Sequence, residues 1–261
     1  MTEARHDGSP GPVAGGAAAP AALAVIPARG GSKRLPRKNV LPLAGRPLLE
    51  YTVNAALGSG AFERVVVSTD DDEIAAVARA AGAEVLSRPA ALADDHTPAS
   101  EVTLAALTAL GGSARYPVIA QLMPNCPLRD ANDVRSSAAA FAAANAAFQV
   151  SVAPFGYQVA WWAMTLAANG ELEPLFPEAL KRRSQDLPPS YCPSGAIWWA
   201  KSAALETART FYGPGVRGEP LTWEHAIDID EEADLQLAAV ILRGKFGRQG
   251  QRRAPPQQQR A

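Results

Sequence analysis

Leu23-Ala-Val-Ile-Pro-Ala-Arg-Gly-Gly-Ser-Lys-Arg-Leu-Pro-Arg-Lys-Asn39 sets a short apolar run directly against a strongly cationic loop. The run is too short for a helix and Pro27 closes it, so it reads as a buried strand. Arg29, Lys33, Arg34, Arg37 and Lys38 follow within ten residues, and Gly30-Gly31 would let backbone N–H groups approach an oxyanion. Strand, then glycine, then clustered cations is the layout of an anion site at a strand end. The GxxxxGK[ST] spacing of a Walker A loop is absent. So is the GxGxxG of a dinucleotide turn, which Gly58-Ser59-Gly60 also fails to complete.

Outward from this stretch, short apolar runs alternate with helix-like segments. Strands are expected at Leu23–Ile26, Arg64–Ser68, Ala83–Leu86, Pro117–Leu122, Phe148–Val152, Gly195–Trp199 and His225–Ile229. Helices are expected near Leu48–Leu57, over Asp72–Ala81 behind the capping Thr69-Asp70-Asp71, and over Ser100–Leu110, Ala131–Ala144 and Glu231–Leu242. Strands apolar along their whole length, alternating with helices, mark an α/β fold with a mostly parallel sheet covered on both faces. Such sheets bind ligands beyond the C-terminal ends of their strands, here the loops after Ile26, Val67, Leu86 and Leu122.

Between about 155 and 192 this rhythm stops. Trp161-Trp162, Leu175-Phe176 and Tyr191 are interleaved with prolines, as in an inserted arm, and the adjacent tryptophans predict a buried seam within the chain or between two subunits. Residues 1–20 and 244–261 have no apolar period and read as disordered tails around one domain over 21–243.

The chain has 261 residues, 48% of them apolar, with 25 basic and 26 acidic side chains. Six basic residues and no acidic one lie from Arg243 onward, so residues 1–242 carry 19 basic against 26 acidic, a charge of −7. An acidic body argues against nucleic-acid binding. Three histidines and two cysteines cannot build a zinc cluster or a disulfide framework. No run reaches the ~18 apolar residues of a membrane span, and Glu3, Arg5 and Asp7 make a poor secretory start. A soluble, cytoplasmic protein is expected.

The second chemical feature is Ile227-Asp-Ile-Asp230. Residues two apart in extended backbone face the same way, so Asp228 and Asp230 present two carboxylates on one side. Two hard oxygen donors suit Mg²⁺ shared with substrate phosphates. A cap for the following helix would need only one of them, with Asp234 in its first turn. Cationic loop and carboxylate pair together make a phosphoryl- or nucleotidyl-transfer site, where catalysis rests on positioning and charge neutralisation. A serine hydrolase does not fit, because there is no GxSxG elbow. Cys126, between Asn125 and Pro127, has nothing local to activate it.

Ile26–Asn39, Arg88-Pro-Ala-Ala-Leu92, Pro124-Asn-Cys-Pro-Leu-Arg129, Ser194-Gly-Ala-Ile-Trp198 and Ile227–Asp230 occur in the order found in one family. Over about Ala24–Leu242 the chain resembles the cytidylyltransferases that activate nine-carbon 2-keto sugar acids, the acylneuraminate family with its pseudaminate and legionaminate branches. The resemblance implies a Rossmann-like nucleotidyltransferase domain that joins CTP to a sugar acid, releasing pyrophosphate, and works as a homodimer through the arm. It implies that Arg29 and Lys38 hold the triphosphate, that Ala28, Gly30, Ser32 and Lys33 shape its loop, and that Asn39 contacts the cytidine. Arg88 would read the cytosine with help from Thr97 or Ser100. Asp228 and Asp230 would bind Mg²⁺, and with Arg29 and Lys38 they form the implied catalytic set. Met123, Asn125, Trp198, Phe211 and Tyr212 would border the sugar acid, although core packing explains Trp198 and Tyr212 nearly as well.

Sialate-type members usually read Gln-Pro-Thr-Ser-Pro-Leu-Arg where this chain has Met123-Pro-Asn-Cys-Pro-Leu-Arg129, and Ser194 stands where asparagine is common. With Arg183–Pro188, these departures point to a differently substituted acid of pseudaminate or legionaminate type, since a site built around one substituent rejects its absence. The alternatives are an eight-carbon keto acid, 3-deoxy-manno-octulosonate, as acceptor, or a non-catalytic nucleotide-sugar binder.

Overall fold

Six of the seven expected strands enter one sheet. The computed structural model describes residues 21–156 and 158–253. In it the main strands are β1 (Ala22–Pro27), β2 (Arg64–Thr69), β3 (Glu84–Ser87), β4 (Val118–Gln121), β5 (Phe148–Pro154), β6 (Tyr191–Lys201) and β7 (Arg217–Pro220). Their order is β7-β5-β6-β4-β1-β2-β3. Every pairing is parallel except those of β6, which runs antiparallel to both β4 and β5. All six residues of β1 are buried, as an apolar strand covered on both faces must be.

The main helices are α1 (Leu48–Ser59), α2 (Asp72–Ala80), α3 (Ala99–Ala109), α4 (Ala131–Ala144), α5 (Ser202–Ala208) and α6 (Glu232–Arg253), with a single further turn at Gly112–Arg115. Asp71 caps α2 by accepting the N–H of Ile74 at 3.0 Å. Asp130 and Asp133 form a capping box that fixes the start of α4. Leu49, Val53, Ile74, Val134 and Phe141 join α1, α2 and α4 to one face of the sheet. Leu104, Leu107 and Leu205 pack α3 and α5 on the other. A third cluster, with Leu35, Leu43, Ile229 and Leu242, seats the cationic loop and the approach to α6 against the end of α1.

Three expectations change. His225–Ile229 is no strand: residues 223–226 form a turn, and 227–230 pair with no strand among the described residues. β7 and α5 were not expected. The closing helix runs to Arg253, well past Leu242, so residues 244–253 of the tail expected to be disordered over 244–261 are helical; residues 1–20 and 254–261 lie outside the described residues. Between β5 and β6 the chain forms a small two-stranded ribbon, Met164–Leu166 with Leu172–Pro174, and short 3-10 turns. Its tryptophans do not form a buried seam within the chain. Trp161 packs edge-on to Phe176 and donates to the Pro188 carbonyl, while Trp162, Leu166 and Leu172 stay exposed. No described helix is long and apolar enough to cross a membrane.

Candidate active site

The loops after β1, β3 and β4 open into one cleft of about 610 Å³ at the C-terminal ends of these parallel strands. Arg29, Ser32, Lys33, Lys38 and Asn39 line it from the first loop, Arg88 and Thr97 from the second, and Met123 and Asn125 from the third. Asp230 closes it from the chain's far end.

Sequence placed five cations in the first loop, and four of them face the cleft. Arg37 turns away: it adopts a left-handed backbone (φ 57°) and its guanidinium pairs with Asp71 and Glu73 outside. That turn leads into the 3-10 segment Lys38–Val40 and brings Lys38 round to the cleft. Lys38 Nζ donates to Asp230 Oδ1 and to the carbonyl of Ile229, both at 2.8 Å. Arg34 reaches the other oxygen of Asp230 at 2.6 Å. Gly30 does not line the cleft. Its N–H donates to Asp70 Oδ1 at 3.1 Å, so it is not free for an oxyanion, and a Cβ there would lie 2.7 Å from Asp71 Oδ2. Ala28 is fully buried, its N–H bonded to the Ser68 carbonyl. These two shape the loop from beneath.

Asp228 and Asp230 flank the buried Ile229, whose N–H donates to the Asn125 carbonyl at 2.8 Å. This one tie gives the alternation expected of a strand without a sheet partner. Asn125 also donates from Nδ2 to Asp228 Oδ1, which fastens the acidic segment to the loop after β4. Desolvation, and then the like charge of Asp230, push the Asp228 carboxyl up to about 6. Asp230 moves the other way, below its ordinary value: desolvation opposes the shift, but the hydrogen bond and charge of Lys38, with Arg34, outweigh it. Asp234, not Asp230, caps α6, accepting the N–H groups of Asp230 and Glu231 at 2.9 Å. The Asp230 side chain is therefore left for the cleft.

Three buried side chains at the cleft keep unused hydrogen-bonding atoms: Asn125, whose Oδ1 has no partner, and two others, Arg88 and Asn39. Arg88 donates Nη2 to the Ser68 carbonyl at 2.9 Å, but its buried Nε has no partner, and desolvation lowers its pKa. Asn39 donates Nδ2 to the Arg29 carbonyl at 2.9 Å, and its buried Oδ1 has no partner. Since buried polar groups are nearly always satisfied, these atoms are poised for a ligand.

Ser100 lies in the first turn of α3 behind Ala99, which does line the cleft. The aromatic residues stand elsewhere. Trp198 packs on Phe211 and edge-on to Tyr212, with ring centroids 5.6 and 5.3 Å away, and donates Nε1 to the Ser194 carbonyl. Phe211 is fully buried in the core on the α3 side, and none of the three lines the cleft. Phe211 is thus a core residue, whereas Trp198 is half-buried and Tyr212 is 49% exposed beside it. Burial pushes the Cys126 thiol up to about 12, so it is no nucleophile.

Sequence reasoning missed Asp94, Asp95 and Arg129. Asp94 and Asp95 line the cleft, and Asp95 pairs with both Arg29 and Lys33. Arg129 is buried and donates to the carbonyls of Cys126 and Met123, stapling the loop that carries Met123 and Asn125. Only its place at the end of Pro124–Arg129 hinted at this. Among the described residues, Asp130, Asp133 and His225 form a group with metal-ligand proximity, but the two aspartates are accounted for by the α4 cap and His225 Nδ1 lies 2.6 Å from Asp133.

A mostly parallel sheet with phosphate-compatible cations at one strand end and Asp230 opposite them, Asp228 standing exposed just outside the cleft lining, has the layout of a nucleotidyltransferase. Residues 23–156 match the cytidylyltransferase family. Pseudaminic acid cytidylyltransferase of Campylobacter jejuni subsp. jejuni serotype O:2 is 32% identical over 223 residues, 85% of this chain and 96% of its own. CMP-N,N'-diacetyllegionaminic acid synthase of Legionella pneumophila is 33% identical over 232 residues, covering 84% and 95%. N-acylneuraminate cytidylyltransferase of Escherichia coli O18:K1:H7 is 30% identical over 223 residues, 85% of this chain but only 52% of its own. A structure of CMP:2-keto-3-deoxy-manno-octonic acid synthetase complexed with CTP shares the fold at a TM-score of 0.66 and 17% identity, covering 86% of this chain and 99% of the other. The chain belongs to the cytidylyltransferase family.

Proposed function

We propose that this enzyme transfers CMP from CTP to a nine-carbon 2-keto sugar acid of pseudaminate, legionaminate or sialate type. The reading rests chiefly on one observation: Lys38 and Arg34 from the first loop meet Asp230 across the same cleft that Arg29, Lys33 and Arg88 line. Relatives that act on such acids match over most of their own length.

In this reading the buried Arg88 and Asn39, with atoms to spare, take the cytidine, Thr97 standing at the same wall. Arg29, Lys33 and Lys38 neutralise the triphosphate, and Ser32 offers its hydroxyl beside them. The acceptor's anomeric hydroxyl attacks the α-phosphorus in line. An O–P bond forms, the bond to the β-phosphate oxygen breaks, and the alcohol's proton leaves to solvent. Lys38, held at 2.8 Å by two acceptors, needs no rearrangement to face the charge that develops. Met123 and Asn125 border the acceptor.

Asp228 and Asp230 fit a hard divalent cation, Mg²⁺. Both are oxygen donors, and the desolvation and, second to it, the like charge of Asp230 that raise the Asp228 pKa are costs such an ion would relieve. Bound there, Mg²⁺ would supply charge neutralisation at the phosphates. The exposed apolar residues of the arm, among them Trp162, Leu166, Leu172 and Phe176, support a homodimer paired through it. A cytoplasmic setting, where CTP is at hand, completes the reading.

The test is pyrophosphate release from CTP with Mg²⁺ and a panel of acids: pseudaminic, legionaminic, N-acetylneuraminic and 3-deoxy-manno-octulosonic. Turnover with one of the first three supports the proposal. Turnover with the eight-carbon acid alone reassigns the acceptor, and CTP binding without turnover on any acid contradicts it.

A further inference from the structure

Resting on the reading that the first loop binds the CTP triphosphate, we propose that Asp95 is a built-in counter-ion for the seat of the terminal phosphates, displaced by a polyphosphate and restored when pyrophosphate leaves. Three observations carry this. Asp95 Oδ1 accepts from Arg29 Nη1 at 2.6 Å while Oδ2 pairs with Lys33, so one carboxylate bridges two cations as a pair of phosphate oxygens would. Arg29, Lys33 and Asp95 all line the cleft itself, so the pairing occupies ligand space. The turn that presents Asp95 is organised for it: Asp94 Oδ1 accepts the N–H groups of His96 and Thr97 at 2.7 Å and the Thr97 hydroxyl at 3.0 Å, and the Asp94 carbonyl takes Arg29 Nη1 at 2.9 Å.

Asp95 differs from the other acids that meet the loop. Asp230 holds Lys38 from a segment anchored in the core by Ile229, and Asp71 holds Arg37 away from the cleft. Asp95 instead sits on an exposed turn at 93–97, where the pairing can open without disturbing a strand or helix. The hydrogen bonds from Lys33 and Arg29 keep its carboxyl below the usual range, so it stays charged at neutral pH. A single carboxylate cannot hold two cations against a pyrophosphate group, which carries more charge and more acceptors. It can hold them against a ligand whose only phosphate lies elsewhere. Asp95 would thus set how sharply the site prefers polyphosphates and how readily pyrophosphate departs.

The experiment is calorimetric titration of pyrophosphate, CTP and CMP into the wild-type enzyme and into Asp95→Asn, Asp95→Ser and Asp95→Glu. Removing the charge ends a competition between two exposed ion pairs and the ligand, so Asn and Ser variants should bind pyrophosphate roughly three- to tenfold tighter. CMP affinity should stay within about twofold, and Asp95→Glu should behave as wild type, since the contrast is one of charge. Unchanged or weaker pyrophosphate binding in both neutral variants overturns the proposal and makes Asp95 a brace for Arg29. If the wild-type chain binds neither CTP nor pyrophosphate, the nucleotide reading itself falls, a result separate from any effect of the variants.

Discussion

Replacing Lys38 by methionine keeps the aliphatic stem and removes the charge that joins the two halves of the cleft. Lys38 Nζ makes two hydrogen bonds of 2.8 Å, one to a carboxylate and one to a carbonyl, and its side chain is only 15% exposed. A hydrogen bond to a charged group contributes about 1.5–3 kcal/mol, and the Ile229 carbonyl would lose its lysine partner. Asp230 retains Arg34, which limits the damage, so a stability loss of about 2 kcal/mol is expected. For a domain of this size that is a drop in Tm of about 4–8 °C. Catalysis should suffer more, because removing one preorganised group facing developing charge costs about 10²–10³ in kcat. The assay is CTP-dependent pyrophosphate release with the preferred acid, at a temperature well below both melting points. A kcat within twofold of wild type, alongside the fall in Tm, would refute the reasoning and reduce Lys38 to a brace for the 229–230 segment.

Two further substitutions test the acidic side and the core. Asp228, pushed up to about 6 from an ordinary 3.8, binds more protons folded than unfolded between those values, so its contribution to stability falls as pH rises through that window. Asp228→Asn should therefore raise Tm at pH 8, with the gain fading towards pH 4 while turnover is lost; thermal melts across that range check the sign. Gly213→Ala would place a Cβ 2.2 Å from the Phe148 ring, an overpacking expected to cost about 1–3 kcal/mol. Denaturant melts should record that loss, and kcat at low temperature should not move, because Phe148 faces the core and not the cleft.

Sequence carried the sheet because its parallel strands are buried on both faces and so are apolar without alternation, as in Val65-Val66-Val67. It carried the starts of α2 and α4 because Asp71 and Asp130 cap them locally. Where long-range contacts decide, it fell short. Arg217–Pro220 has no β-branched residue and becomes an edge strand only because Val150 and Ser151 offer it a partner. His225–Ile229 reads as a strand, yet among the described residues no strand pairs with it, and the spacing of Asp228 and Asp230 survives because Ile229 is buried between them. The cationic loop was visible from composition, but not how its charges divide: Arg37 to Asp71, Lys38 and Arg34 to Asp230, Arg29 and Lys33 to Asp95. Such pairings span tens to hundreds of residues and leave no local period. That Trp198 packs on Phe211 and Tyr212 is likewise a contact that only the tertiary arrangement reveals.

The most direct measurement is a crystal structure with a non-hydrolysable CTP analogue and Mn²⁺, located by its anomalous signal. The metal is expected on Asp228 and Asp230, the phosphates among Arg29, Lys33 and Lys38 with Asp95 turned away, and the base against Arg88. Nucleotide bound outside this cleft, or metal density absent from the aspartate pair while the phosphates are ordered, would contradict that arrangement.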